Sequence, residues 1–560
     1  MDNKAIAKVF KFCGQLMELY NENTFRSKNM ATASYRIDKL PFSAAESTAE
    51  QLSEYPGIGK STAEKIIKLI QTGSFDDLDK YISKTPKGIL DMLSIKGLGP
   101  KKVQVIWKDL EIETVGELLY ACNENRLVQA KGFGLKTQEE IRKAIEFSNA
   151  NQGLFLYAKV EKQAMAMRDY LLTNFPEARV DFTGEFRRKC EIISVIELLT
   201  SAPPEQLINV LKSNVTNYTV LQTSNEVIIL SDQQGLKYAI KYSPIERFGI
   251  NLFETTGSAA HLEKIKLLDK EILPLSTEVD IYHALGLEYI EPELREGLQE
   301  IKWASEKRLP KLITFADLKG TLHNHSSYSD GVHTLEQMAL YCKENLGLEY
   351  FGICDHSRTA VYAQGLSVDR VREQWEEIEK LNQKLTPFKI FKGIESDILA
   401  DGSLDYDDAI LSQFDFVVAS IHSNFRMDEQ KATQRLITAI ENPYTTILGH
   451  PTGRLLLSRA GYPIDYKKVI DACAINKVVI EINANPLRLD LDWRWHQYAL
   501  EKGVLLSVNP DAHRTEGLLD MEHGIQVARK GGLSVEKCLN AFSLQQIELF
   551  FNKRKTEKQI

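Results

Sequence analysis

The chain has 560 residues, more than one hydrophobic core supports, so several domains are expected. Hydrophobic residues make up 43%, charged residues 26%, and the net charge is −8, which excludes a uniformly basic nucleic-acid coat but leaves room for local basic surfaces. With no apolar run near the roughly 18–20 residues that span a bilayer and no CxxC pair among the seven cysteines, the expectation is a cytoplasmic protein with reduced, buried thiols and no membrane contact.

Residues 1–150 read as helical, with one pattern repeated three times. Gly57 and Gly59 precede Lys60, Gly97 and Gly99 precede Lys101, and Gly132 and Gly134 precede Lys136. Glycine, apolar residue, glycine makes a tight turn between two helices, and the second helix opens with free N–H groups that favour an anion. The lysine adds a point charge. One copy would be an ordinary αα-hairpin. Three copies with the same glycines and lysines predict helix-hairpin-helix motifs that hold DNA phosphates without reading base sequence.

Residues 151 to about 312 mix strands and helices. A helix is predicted over YAKVEKQAMAMRDYLLTNF, strands over ARVDFTGEF, CEIISVIELLT, YTVLQTSNEVIILS and LKYAIKYSP, and helix from 260 to 312 with a short polar link. A proline-containing connector near 310–317 leads into a segment where strands alternate with helices, the pattern of an α/β barrel.

In that last segment, apolar runs end in histidines and carboxylates: KGTLHNH, YFGICDH, FKGIESD, FVVASIH, TTILGH and LLSVNPDAH. The series is His323, His325, Asp330, Asp355-His356, Glu395, His422, His450, Asp511 and His513. One histidine after an apolar run is most often a hydrogen-bonded core residue. A whole series at strand ends, mixed with carboxylates, predicts a metal site at the mouth of a barrel. The ligands are too many for one ion and suit two or three divalent metals: zinc, manganese or iron.

From SEYPGIGKSTAEKI at the N-terminus through SIKGLGPKKV, Gly184-Glu-Phe-Arg-Arg188, IYHALGLEYIEPELREG and the histidine series, the chain resembles a bacterial family X DNA polymerase with a C-terminal PHP (polymerase and histidinol phosphatase) domain. The resemblance implies a multidomain α+β and α/β protein. Its parts would be a DNA-end-binding helical domain (1–85), a fingers-like helix-hairpin-helix region (86–150), a nucleotidyltransferase-like palm (151–240), a thumb-like region (241–312) and a distorted (β/α)7 TIM-like PHP barrel (318–555). It also implies that His323, His325, Glu395 and Asp511 share one metal pocket, with Glu395 bridging to a second ion held with His422. Asp330, His356, His450 and His513 complete the second and third pockets.

The palm departs from the family. Where the family carries three aspartates for two magnesium ions, this chain has Val195, Glu197 and Ala239, and Glu185 replaces the serine that faces the triphosphate. Asp181 is expected on the wrong side of the turn to substitute. Lys65 matches the position of the family's Schiff-base lyase nucleophile and is equally a phosphate contact. Arg358, Arg454 and Arg514 follow ligand motifs and are candidates for binding phosphate.

The expected function is metal-dependent hydrolysis of DNA phosphodiesters in repair, as a 3′→5′ exonuclease on gapped or 3′-ended DNA. Manganese is the cofactor the resemblance implies, and a monomer is expected. The rivals are an active gap-filling polymerase, a small-molecule phosphatase sharing the metal site, and a non-catalytic DNA-binding scaffold.

Overall fold

The computed structural model describes residues 1–95, 97–150, 153–213 and 218–560; Lys96 of the second glycine motif and residues just past the expected 150/151 boundary lie outside the described residues. The chain forms two compact units, Met1–Glu146 and Phe147–Ile560. No helix among the described residues is long and apolar enough to cross a membrane.

The first unit is helical among its described residues. Its first helix, Asn3–Leu19, buries Ile6, Phe10, Cys13 and Met17, an apolar stripe at three- and four-residue spacing. That stripe packs against both Thr24–Asp38 and Pro100–Lys108, so the segments 1–85 and 86–150 share one body. All seven cysteines are free.

The second unit begins with a five-stranded sheet in the order Val180–Thr183, Ile196–Thr200, Lys237–Tyr242, Val227–Asp232, Tyr218–Thr223. Helix Tyr157–Asn174 buries Val160, Ala164, Met167 and Leu171 on one face of it. On the other face Leu199 meets Phe248 and Leu252 of helix Phe248–Thr256. The stretch expected to be helical from 260 to 312 is broken. Helices Ala259–Lys266, Glu278–Ala284 and Glu300–Ser305 are short, and Pro274 lies in an irregular link after the first of them.

The C-terminal part is a ring of seven parallel strands. In chain order they are Gly320–Thr321, Tyr350–Ile353, Lys389–Asp397, Phe416–Ser420, Ile447–Leu448, Val479–Asn483 and Leu506–Asn509. Helices such as Leu335–Glu344, Val368–Leu385 and Glu429–Glu441 connect them and bury the outer faces. First and last segments meet beyond the strand ends, where His325 N–H donates to Ala512 O (2.9 Å) and Asp511 N–H to His323 O (3.1 Å). The lower interior is filled. Phe416 stacks on Phe551 of the C-terminal helix at 5.3 Å, and a Cβ on Gly352 or Gly393 would strike the Phe416 ring at 2.7 or 2.4 Å. With that end plugged, polar chemistry is confined to the ends where the strands finish.

Candidate metal centre

Six of the seven strands of the ring deliver a member of the series by the same device, an apolar buried run that leads into a polar residue. His323 and His325 follow Gly320–Thr321 and point the same way because they are two residues apart. Between them Asn324 turns aside, its amide donating to Thr321 Oγ1 (3.2 Å) and Gly352 O (3.0 Å). His356 follows Tyr350–Ile353, Glu395 lies within Lys389–Asp397, His422 follows Phe416–Ser420, His450 follows Ile447–Leu448, and Asp511 and His513 follow Leu506–Asn509. Gly449 admits the approach of His450, since a Cβ there would meet Ser420 Oγ at 2.3 Å.

Glu395 is the hub. Its oxygens lie 3.0 Å from His356 Nδ1, 3.0 Å from His450 Nε2, 3.1 Å from His422 Nε2, 3.3 Å from His323 Nε2 and 3.6 Å from His325 Nε2. On one side Asp511 Oδ1 is 3.1 Å from His325 Nε2 and 3.5 Å from His323 Nε2. On the other, Asp330 Oδ1 is 3.2 Å from His513 Nε2 and 3.6 Å from His356 Nε2. Three sets of ligand atoms in the ring therefore fall within 4.8 Å of one another: His323, His325 and Asp511; His356, Glu395 and His422; His325, Asp330, His356 and His513. All nine residues of the series' ligand set converge here. Asp355 does not join them. It faces the opposite way and accepts from Ser326 N (2.8 Å), Ser326 Oγ (2.7 Å) and Gln374 Nε2 (2.7 Å), bracing the loop that carries Asp330.

The donor set fits divalent cations. His323 Nε2, His325 Nδ1, both nitrogens of His356 and Glu395 Oε2 are buried with no hydrogen-bond partner among the described residues. Unpartnered buried polar atoms cost about 1–3 kcal/mol each, and a coordinated cation would satisfy this whole set at once. The electrostatics agree. Burial alone would raise the Glu395 carboxyl, but His422, His323 and His356 outweigh it and hold it well below the usual range. Asp330 and Asp511 are depressed for the same reason, by His513 and His356 and by His323 and His325. His325 is lowered to about 3 by burial and by the neighbouring His513 and His356, so its imidazole is neutral and able to ligate.

Three functional side chains went unnoticed in the sequence. Glu481 Oε2 accepts from His323 Nδ1 at 2.7 Å, and Asp397 Oδ1 from His422 Nδ1 at 2.6 Å, the carboxylate backing that would orient these imidazoles as metal ligands. The signals were present: Glu481 is a lone charge inside the apolar run Val479-Ile-Glu-Ile, and Asp397 lies two residues from Glu395 on the same strand face. The third is Arg488, buried with Nε 3.7 Å from Asp511 Oδ2.

The three arginines marked as phosphate candidates separate. Arg454 turns away from the cluster: it pairs with Asp492, donates to Leu489 O, and its Nε donates to Arg488 O at 2.9 Å. Its hydrogens hold the loop that carries Arg488. Arg358 is 58% exposed and donates to Asp405 O at 2.6 Å. Arg514 is exposed beside His513.

In the sheet of residues 180–242, Glu197 stands opposite Ala239 and forms an ion pair with Lys241 (2.6 Å), while Val195 precedes the strand. Glu185 Oε2 accepts from Ser194 N (3.1 Å) and Oγ (3.0 Å). Arg187 grips Glu278 with both terminal nitrogens, and Arg188 Nε binds Glu296 (3.0 Å). Asp181 is a correction to the sequence reading: it pairs with Leu199, two residues along from the Thr183–Glu197 pair, and so shares a sheet face with Glu197. No cluster of metal-ligating atoms forms on this sheet among the described residues.

In the helical unit the three glycine motifs adopt one geometry. Ile58 N–H donates to Tyr55 O, Leu98 N–H to Ile95 O, and Phe133 N–H to Ala130 O (3.0–3.1 Å). The inner glycines Gly57, Gly97 and Gly132 have φ of 91°, 94° and 89°, as a type II turn requires. Gly59 and Gly99 are N-caps of Lys60–Thr72 and Pro100–Lys108 without a side-chain cap, and Gly134 O accepts the Gln138 N–H (3.0 Å). A Cβ on Gly59, Gly99 or Gly134 would meet nothing within 4 Å, and Lys60, Lys101 and Lys136 are exposed beside them. Lys65, by contrast, is tied to Asp77 at 2.6 Å.

Comparison with known proteins agrees with this division. Residues 1–75 match the helix-hairpin-helix domain model and residues 89–146 the SAM-like helix-hairpin-helix tandem model. Residues 248–296 match the DNA polymerase beta thumb model, and residues 321–485 the PHP domain model. The chain is 32% identical to a protein named DNA polymerase/3′-5′ exonuclease PolX from Bacillus subtilis, over 99% of this chain and 100% of that protein. Shorter likenesses cover part of the chain: 31% identity to a probable phosphatase of Thermoanaerobacter sp. (29% of this chain, 68% of that protein) and 27% to one of Caldanaerobacter subterraneus (32% and 71%).

Proposed function

This chain belongs to the bacterial family X DNA polymerases that carry a C-terminal PHP domain, and within that family we propose that it acts on DNA by metal-dependent phosphodiester hydrolysis at 3′ ends, its polymerase site being lost. The observation that carries the reading is the hub at Glu395, one buried carboxylate within 3.6 Å of five imidazoles. His323, His325 and Asp511 would hold one ion with Glu395. Glu395, His422 and His450 would hold a second, and Asp330, His356 and His513 a third. Bound divalent ions, manganese or zinc, supply Lewis-acid stabilisation of charge developing on the phosphate oxygens. The chain's own groups prepare that site. Glu481 keeps the proton of His323 on Nδ1 and leaves Nε2 as donor atom; Asp397 does the same for His422. Arg488 places a fixed positive charge beside Asp511, and Arg358 a more exposed one on the rim.

Support for loss of polymerase activity comes from the sheet. Of the three positions, only Glu197 keeps a carboxylate, and Lys241 neutralises it at 2.6 Å. Arg187 and Arg188, in the stretch that resembles the family's palm motif, brace helix Phe248–Thr256 and its neighbours. The pairing of Lys65 with Asp77 gives the lyase no support. The three hairpins, two of which open helices without a side-chain cap, supply a sequence-independent grip on DNA phosphates. A small-molecule phosphatase is the second reading, favoured by the partial likenesses to probable phosphatases, and it leaves the hairpins without a ligand.

A labelled gapped duplex incubated with manganese, with and without dNTPs, separates these. Shortening that disappears in His323→Ala/His325→Ala is expected. Extension would restore the polymerase reading, and neither outcome on DNA, with turnover of small phosphomonoesters, would favour the phosphatase.

A further inference from the structure

Beside the metal cluster stands an aromatic ring that none of the chemistry above uses. Tyr362 lies in the loop between His356 and Leu366, its ring centroid 6.2 Å from that of His356 and 6.5 Å from that of His422, edge-on to both. The loop is fixed by the ligands' own backbone: Ser357 N–H donates to Glu395 O (3.0 Å) and Leu366 N–H to His356 O (2.9 Å). Gly365 N–H returns to Ala360 O (3.0 Å), and any Cβ on Gly365 would strike Ser357 O at 1.9 Å, so the arch has one conformation to offer. Tyr362 is partly buried, and the adjacent Val361 is 80% exposed. A second loop bounds the cluster with the same character. Val332, two residues after Asp330 and bonded through its N–H to His513 O (2.7 Å), is 50% exposed.

A floor of imidazoles and carboxylates is thus rimmed by an aromatic ring and exposed aliphatic side chains. A ligand matching that pattern has an anionic centre joined to a flat apolar face, as a nucleotide has. Aromatic rings bind bases with little regard to sequence because every base offers a π-face. We propose that Tyr362, with Val361 beside it, forms a subsite for the nucleobase of the terminal nucleotide. This rests on the reading of the cluster as a DNA phosphodiesterase centre and narrows its substrate to ends that carry a base.

The test uses the full chain loaded with manganese and two single-stranded oligonucleotides that differ only at the 3′-terminal residue, thymidine in one and an abasic tetrahydrofuran in the other. The unaltered protein is expected to release the base-bearing terminus with a kcat/KM on the order of tenfold higher, the scale of one base–aromatic stack. Tyr362→Ala is expected to lose most of that preference through KM on the thymidine end, with the abasic end unchanged; Tyr362→Phe keeps it. Tyr362→Leu, which fills the volume without stacking, is expected to lose the same preference and so separates a lost stack from a loop disturbed by Ala. Equal rates on both ends in the unaltered protein overturn the subsite. So does an Ala or Leu variant that slows both ends alike, which would make Tyr362 only a spacer for His356. Hydrolysis of neither oligonucleotide would instead remove the phosphodiesterase reading itself.

Discussion

Glu481→Gln changes one atom and should weaken metal binding, for reasons that can be counted. Glu481 Oε2 accepts from His323 Nδ1 (2.7 Å) and Asn509 Nδ2 (3.1 Å), while Oε1 accepts from the His450 backbone N–H (3.1 Å) and Asn483 Nδ2 (3.0 Å). Four donors converge on two acceptor oxygens, all buried. An amide offers one acceptor oxygen and one NH2 group, so either orientation points donors at donors. If the NH2 group faces His323, the imidazole must accept at Nδ1 and carry its proton on Nε2, the atom aimed at Glu395 and Asp511. If it faces His450, the loop that presents that ring loses its anchor. Two unmatched buried donors cost about 2–6 kcal/mol, and loss of such a backing carboxylate lowers metal affinity about 10–100-fold. Manganese titration of the metal-stripped protein, followed by calorimetry and by nucleotide release from a 3′ end, measures the shift. A variant with unchanged manganese affinity and an unchanged activity midpoint would show that Glu481 does not set the His323 tautomer, and the reasoning would be wrong.

Glu296→Gln should destabilise the second unit by about 3 kcal/mol, because buried Lys530 and half-buried Arg188 would lose their shared counter-charge. Burial pushes the Glu296 carboxyl up, but Lys530 and Arg188 outweigh it and hold it below 4.5. Its stabilising contribution is therefore present above that value and fades as pH falls through the folded-state value, so the Tm gap between variant and parent should be full at pH 7 and narrow in acid; a gap that widens in acid refutes it. Gly57→Ala, at φ 91°, should cost about 1 kcal/mol in unfolding experiments, whereas Gly59→Ala should fold normally yet bind DNA more weakly in fluorescence anisotropy. Removing Lys60, Lys101 or Lys136 should lower the salt dependence of DNA affinity by about one unit each. Manganese at a hundredfold excess over its Kd should stabilise the protein by about 2.7 kcal/mol in thermal melts, and His323→Ala/His325→Ala should abolish the gain.

How far the sequence could be read depended on what each residue had to do. The ligand series was legible because only a few residue types bind such metals, and each stood where an apolar run stopped. The hairpins were legible because a type II turn admits glycine at Gly57, Gly97 and Gly132 and tolerates little else. Val195 and Ala239 were equally plain as residue types, since neither side chain has an oxygen to offer a cation. Adjacency in the chain misled for Asp355 and Arg454: both neighbour ligands in sequence, yet one braces Ser326 and the other binds Asp492.

Residue types and their order along the chain therefore determined which groups are present: imidazoles and carboxylates able to hold cations, glycines and lysines able to meet phosphates. Only the tertiary structure decided which of them meet. Glu395 serves five imidazoles because parallel strands finish at one end of a ring, and Lys241 reaches Glu197 because sheet pairing sets Glu197 beside Ala239 and Leu199 beside Lys241. Contacts between residues tens of positions apart follow from strand order and register, which no local pattern encodes.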